Sequence, residues 1–433
     1  AGHKDNHAGL MTKAQMNSFK LKYGISDGNE WNRFSDEKNN VESDKYIKNL
    51  PFQKAKHRKY QSKKVLVDEN VFIKETKIST QNAFGKILDQ YAKNNTDFSR
   101  RILTTSPDVS VSTNLGPWIN RKGLFSRKDS SDTFKDRKIP SAQKWIFSSK
   151  GQHIELGIAE MNLFLMLGAA GLSHEFFGER LFPIGTVYDP FISRGLDAMN
   201  YACYQDARFM IVGTPSGISL APEGGAHQSI ATPLIGISQP GLLSFEPAFA
   251  DELALIMNYG FNYLQDESGG SIYLRLTTRS IDQPMREIDN ELKNNIIKGG
   301  YWLKKPGPNP EVIIVYQGAV ASEAIESTAL LGEKFKNSGV LSITSSDKLF
   351  HEWKNQNSTS HIELLLEGVP RDTRIITVID GHPMTLSWIG SIYGHKTIPL
   401  GVSSFGQTGK VEDLFKEFTI DSQSISNLGF SIN

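Results

Sequence analysis

A chain of 433 residues carries 48 Lys plus Arg against 47 Asp plus Glu, with 39% hydrophobic and 22% charged residues. That balance offers no electrostatic support for a nucleic acid or an anionic membrane as partner, and the length calls for two or three domains rather than one core. A single cysteine, Cys203, excludes an intrachain disulfide and a multi-cysteine zinc site; with a polar amino terminus and no apolar run near ~18 residues, the expected home is a reducing cytoplasm.

Residues 12–78 are polar and lysine-rich and read as a linker segment, with KAKHRKYQSKK (54–64) either a solvated face or a docking patch for an acidic partner. The texture changes at Ser79. STQNAFGKILDQYAKN has a capping hydroxyl and then Ala83, Phe84, Ile87, Leu88 and Tyr91 along one helical face. A short strand is expected at 102–105, a polar loop over 106–116, and an apolar, small-residue helix over 154–172. LFPIGTVY (181–188) and RFMIVGT (208–214) read as strands separated by a helix. GISLAPEGGAHQS (217–229) reads as a Gly/Pro loop, 247–264 as an amphipathic helix and SIYLRLTT (271–278) as a strand. Strands alternating with helices predict a parallel, doubly wound sheet. KKPGPNP (304–310) is the clearest linker. Beyond it the alternation restarts, with strands expected at 312–317, 340–346, 374–380 and 397–401 and helices at 320–335 and 411–418. The fold class expected is therefore α/β with two doubly wound domains.

Signatures of P-loop, simple dinucleotide-binding, serine-hydrolase and HExxH metalloprotease sites are absent. What remains is a set of polar and aromatic residues in the first α/β block. Glu160 stands beside Leu163, Phe164, Leu165 and Met166, where burial would let a carboxyl exchange a proton near neutrality; it could equally pair with a cation. PEGGAHQ (222–228) puts Glu223 and His227 on a loop after a strand, where open α/β sheets bind ligands and a histidine can shuttle protons; a hydrogen-bonded turn is the plainer alternative. Tyr188 and Phe191 in VYDPF follow a strand directly, fit for core packing or for stacking on a flat heterocycle.

In this order the segments resemble the pyrimidine-binding domain of thiamine diphosphate-dependent, transketolase-like enzymes. GQHIELGIAE looks like the stretch carrying the family's glutamate, which implies that Glu160 contacts the aminopyrimidine. VYDPF is similar to its aromatic platform, which implies Tyr188 and Phe191 as the residues flanking the ring. PEGGAHQ resembles the EDGPTHQ-type loop, placing Glu223 and His227 at the site, and SPDVSVSTNL resembles an ADLTPSNL-type loop, assigning Asp108 to the cofactor pocket with one residue inserted. The closest resemblance is to homodimeric pyruvate dehydrogenase E1 chains, through STQNAFGKILDQY, GLLSFEPAFADELALIM, VLSITSSDKLFHEW and FGQTGKVEDLFKEFTID. AGHKDNHAGLM looks like their inner loop, which makes His7 and His3 substrate-side candidates.

The resemblance implies domains at 79–300 (pyrimidine-binding) and 301–433 (transketolase C-terminal-like), after a segment 1–78. It implies thiamine diphosphate as cofactor, with Glu160 sharing a proton with its pyrimidine and His227 and His7 acting on the substrate. Family members anchor the diphosphate and Mg²⁺ through a GDG…N segment that this chain lacks. The expectation is then a back portion of a longer protein, or one half of a split enzyme, working as a homodimer or with a diphosphate-binding subunit. An E1 role would use a small 2-oxo acid and a lipoyl-bearing E2 acyltransferase. Ketol transfer is an alternative, with Arg275 or Arg279 gripping a phosphate unless both are packing pairs. A non-catalytic partner subunit is a further one.

Overall fold

The computed structural model describes residues 9–32, 40–55, 62–69, 71–128, 136–140, 145–355 and 357–431. Two compact units divide the chain, one of residues 1–62 with 174–179 and one of 63–173 with 180–433. In the smaller unit a capping box between Thr12 and Gln15 opens the helix Lys13–Lys22, which buries none of its residues. That fits a polar stretch without apolar periodicity.

The strands, in chain order, are β1 (Lys77–Ile78), β2 (Ile102–Ser106), β3 (Leu124–Phe125), β4 (Phe147–Ser148), β5 (His153–Glu155), β6 (Phe182–Val187), β7 (Met210–Gly213), β8 (Leu242–Phe245), β9 (Ser271–Arg275), β10 (Ile281–Asp282), β11 (Gly300–Lys304), β12 (Val312–Gln317), β13 (Gly339–Ile343), β14 (Arg374–Ile379) and β15 (Thr397–Leu400). Eight of them form an all-parallel sheet in the order β4-β3-β5-β2-β6-β7-β9-β8. Five form a second sheet, β11-β13-β12-β14-β15, parallel except for the antiparallel edge strand β11.

Alternation along the strands builds a core on each face of the larger sheet. Ile184, Met210, Val212, Ile272 and Leu274 point to one side, against Phe84 and Leu88 of the helix Thr80–Asn94 and Met257 and Phe261 of the helix Ala250–Tyr263. Val187, Ile211 and Tyr273 point to the other, against Leu163, Phe164 and Leu167 of the helix Glu160–Gly171 and Met199 of the helix Leu196–Tyr204. With both faces covered, the strands are buried on both sides, which is why FPIGTV is apolar without alternation. The second sheet repeats the scheme, with Val312, Ile314 and Tyr316 on one face and Ile313 and Val315 on the other. Two doubly wound α/β domains result, as expected.

One element departs from expectation in a way that bears on the site. The helix predicted over 154–172 is split. His153–Glu155 joins the sheet as β5, Gly157 turns the chain with φ +67°, and the helix begins at Glu160. Glycine carries that backbone conformation at no steric cost. Glu160 is thus not inside the helix but is its first residue, at the mouth of the sheet.

Candidate active site

Strands β3 to β5 lie on one side of β2, and β6 to β9 on the other. The chain therefore leaves β2 and β6 in opposite directions, and a crevice opens at their carboxyl ends, where open α/β sheets hold ligands. Three connections meet there. The segment after β5 leads to Glu160, the turn Asp189–Gly195 after β6 follows Tyr188 and carries Phe191 and Arg194, and the loop after β7 carries Glu223 and His227.

Glu160 is nearly enclosed, its side chain 12% exposed, and accepts a hydrogen bond from Arg194 Nη1 at 2.5 Å. The guanidinium carbon of Arg194 lies 3.7 Å from the centre of the Phe191 ring. Phe191 is parallel to Tyr188 within 15°, with ring centres 6.0 Å apart, and its centre stands 5.5 Å from that of His227. The Tyr188 hydroxyl reaches Glu223 Oε1 at 3.5 Å, the outer edge of hydrogen bonding. One connected chain of contacts thus joins Glu160, Arg194, Phe191, His227, Tyr188 and Glu223. Of the two readings of Glu160, the structure shows the pairing with a cation, Arg194, a residue outside the sequence motifs.

Asp108 sits apart, beyond β2, exposed and at φ +65°, a conformation that Asp tolerates better than most residues. Its backbone N–H donates to Glu155 Oε1 at 2.8 Å. Ser110 donates to the other Glu155 oxygen at 2.6 Å, and fully buried His153 lies 3.5 Å from it. Burial works against the Glu155 charge, but bonds from His153, Ser110 and the Asp108 backbone outweigh it and hold the carboxyl below its usual range. Glu155 was also missed in the sequence, though it stands five residues before Glu160.

Arg279 does not join the group. Its guanidinium grips Glu323 with both Nη atoms, donates to the Ala319 carbonyl at 2.8 Å and lies over Phe415. Arg275 is buried against Asp189 at 3.0 Å and Glu246 at 2.6 Å. Both arginines are thus engaged in internal pairs, the alternative to phosphate binding. His3 and His7 lie outside the described residues. Among the described residues, no group of three or more His, Cys, Asp or Glu side chains is arranged to hold a metal ion, and no helix is long and apolar enough to cross a membrane.

Comparison with known proteins agrees with this architecture. Residues 61–284, just over half of the chain, match the pyruvate dehydrogenase E1 component middle domain, and residues 299–421 match the transketolase-like C-terminal domain. The pyruvate dehydrogenase E1 component of Escherichia coli K12 is 24% identical over 365 residues, covering 80% of this chain. Transketolase 1 of Candida albicans is 26% identical over 278 residues, covering 64%. The chain spans about 40% of the length of these relatives. Among solved structures, transketolase from Leishmania mexicana covers 97% of the chain, with a TM-score of 0.65 at 16% identity and 51% of its own length matched. A split gene transketolase described as an inactive beta4 tetramer covers 81%, with a TM-score of 0.55 at 19% identity and 96% of its own length matched. These likenesses show the fold, and the family matches show the lineage: the chain belongs to the family of the pyruvate dehydrogenase E1 component middle domain, continued by a transketolase-like C-terminal domain.

Proposed function

We propose that this chain is the pyrimidine-binding and C-terminal portion of a thiamine diphosphate-dependent, E1-type enzyme that decarboxylates a small 2-oxo acid. The observation that carries the reading is the contact chain Glu160–Arg194–Phe191–His227 at the mouth of the larger sheet. An aminopyrimidine needs a carboxylate for its ring nitrogen and an aromatic face to lie against; Glu160 and Phe191 are of those types, and Arg194, which bonds the Glu160 carboxylate at 2.5 Å and covers the Phe191 ring at 3.7 Å, would swing aside to admit it. When bound, the cofactor supplies the carbanion and electron sink for breaking a bond beside a carbonyl.

The chain's own residues do the rest. Glu160, its side chain 12% exposed, holds and exchanges a proton at its carboxylate oxygens through charge-assisted bonds. Phe191 and Tyr188 orient the ring, and Glu223 steadies Tyr188. His227, 5.5 Å from Phe191, moves a proton to or from the substrate at an imidazole nitrogen. Asp108 and Glu155 border the crevice from the β2 side. The diphosphate and Mg²⁺ fall to a GDG…N segment supplied by another part of the protein or by a partner subunit. The split gene transketolase, matched over 96% of its own length, supports a division of that kind.

A covering subunit also fits the helix Glu160–Gly171. It is apolar nearly all round, yet Met161 and Leu165 on its outer face are 41% and 58% exposed, and Ile158 just ahead of it is 80% exposed. Such a helix belongs inside a structure. A second copy or a diphosphate-binding partner over this stripe would bury it and close the crevice.

The test is reconstitution of the chain with the diphosphate-binding part, followed by assay of pyruvate and longer 2-oxo acids for decarboxylation and for acylation of a lipoyl domain. Turnover of 2-oxo acids supports the reading; turnover of ketose phosphates alone replaces it with ketol transfer. No cofactor binding in the assembled protein replaces it with a non-catalytic subunit.

A further inference from the structure

We propose that Asp189 and Arg275 are positioning residues of this site: through a buried charge cluster they lock the Phe191 turn to the His227 loop and both to the C-terminal domain. The functional meaning rests on the role given to Phe191 and His227 above; the geometric claim is independent of it.

Phe191 and His227 stand on separate connections, and loops are ordinarily the least stable parts of a fold. Something must hold their ring centres at 5.5 Å. Asp189 follows Tyr188 directly and is fully buried. Its Oδ2 accepts from Ser229 Oγ, from Thr232 Oγ1 at 2.5 Å and from Arg275 Nε at 3.0 Å, while Oδ1 accepts from the Tyr273 hydroxyl. Ser229 lies two residues beyond His227. One carboxylate thus anchors the platform turn, the histidine loop and strand β9. The carboxylate reaches this depth because position 213 is glycine: a Cβ there would fall 2.2 Å from Asp189 Oδ1.

Arg275 carries the tie further. It donates to Ser229 at 3.2 Å and to Glu246, beyond β8, at 2.6 Å. Glu246 in turn accepts from Gln317 at the end of β12, at 3.0 Å. Asp380, after β14, accepts from the Ile218 backbone at the start of the histidine loop, at 3.0 and 3.1 Å. A leucine at position 275 would suit a strand flanked by Leu274 and Leu276, and buried ion pairs add little stability over apolar residues. A charge there is consistent with specifying geometry.

The cluster can be tested without any cofactor. In the full chain labelled with ¹³C at the histidine ring, the His227 resonance is identified by its loss in H227Q, and its displacement by the Phe191 ring current is measured against F191L. In D189N the His227 resonance is expected to move toward its F191L position, and in S229A to move in the same direction by less. A folded D189N with the His227 resonance unmoved overturns the proposal; should D189N fail to fold, an unmoved resonance in S229A does so. The functional reading is judged separately. Loss of thiamine diphosphate binding by the wild-type assembly would end that reading and leave the resonance shifts standing. Normal binding beside unmoved resonances would end only the positioning claim.

Discussion

Glu246 offers a quantitative check on the buried cluster. Burial outweighs the attraction of Arg275 and pushes its carboxyl from the usual 4.5 up to about 7. Between those values the folded chain keeps a proton that the unfolded chain has released, so stability falls as pH rises and levels off above about 7. At about 1.4 kcal/mol per pH unit the whole gap is worth about 3 kcal/mol, of which about 1 kcal/mol falls between pH 6 and 8. Asp380, pushed by burial to about 6, contributes less to that interval, since its titration is half complete at the start. Glu246→Gln removes the first contribution and keeps the second. Urea unfolding followed by circular dichroism at pH 6 and pH 8 should show the wild type losing about 1 kcal/mol more than the variant. Equal losses in the two proteins would mean that Glu246 is ionised throughout and that the account of its burial is wrong.

Other expectations are simpler to state. In the reconstituted enzyme, Glu160→Gln should lower turnover by roughly 10²–10⁴-fold while leaving the thermal midpoint near that of wild type; full activity would remove Glu160 from the mechanism. Leu165→Glu, on the exposed stripe, should change folding stability by no more than about 0.5 kcal/mol yet shift sedimentation toward the monomer, and an unchanged assembly would place the subunit contact elsewhere. Ser79 accepts from the Asn82 backbone at the start of the helix Thr80–Asn94, so Ser79→Ala should cost about 1 kcal/mol in chemical denaturation, with no effect on cofactor binding.

The sequence was most legible where one physical rule decides the outcome. The unbroken apolar runs of β6, β12 and β14 announced doubly covered parallel strands, and Ser79 with the Phe84–Leu88–Tyr91 stripe announced a helix close to its true start. Two-residue strands such as β3 and β4 carry no period to detect, and the antiparallel β11 is hidden beside the proline-rich linker. The split before Glu160 was missed because ELGIAE has enough small and apolar residues to pass for a helix, and Gly157 alone marks the turn. Tyr188, Phe191, His227 and Glu223, all on connections that follow strand ends, are joined by contact. Arg194, Asp189 and Arg275 were not foreseen as parts of the arrangement. Charged side chains usually lie in water, and only three-dimensional neighbours reveal the ones that do not.

The ties between the two α/β bodies limit how the chain can be cut or recombined. Gln228 donates to the Gln407 carbonyl at 2.7 Å, Gly318 lies against Glu246 with no room for a side chain, and Arg279 crosses to Glu323. Separating the two bodies would open these contacts together, stripping Glu246 of Gln317 and the histidine loop of Asp380. A chimera that borrows its carboxyl-terminal third from another family member would have to import Gln317, Gly318, Glu323, Asp380 and Gln407 as a set. Exchanged piecemeal, they would leave charged groups facing an apolar wall.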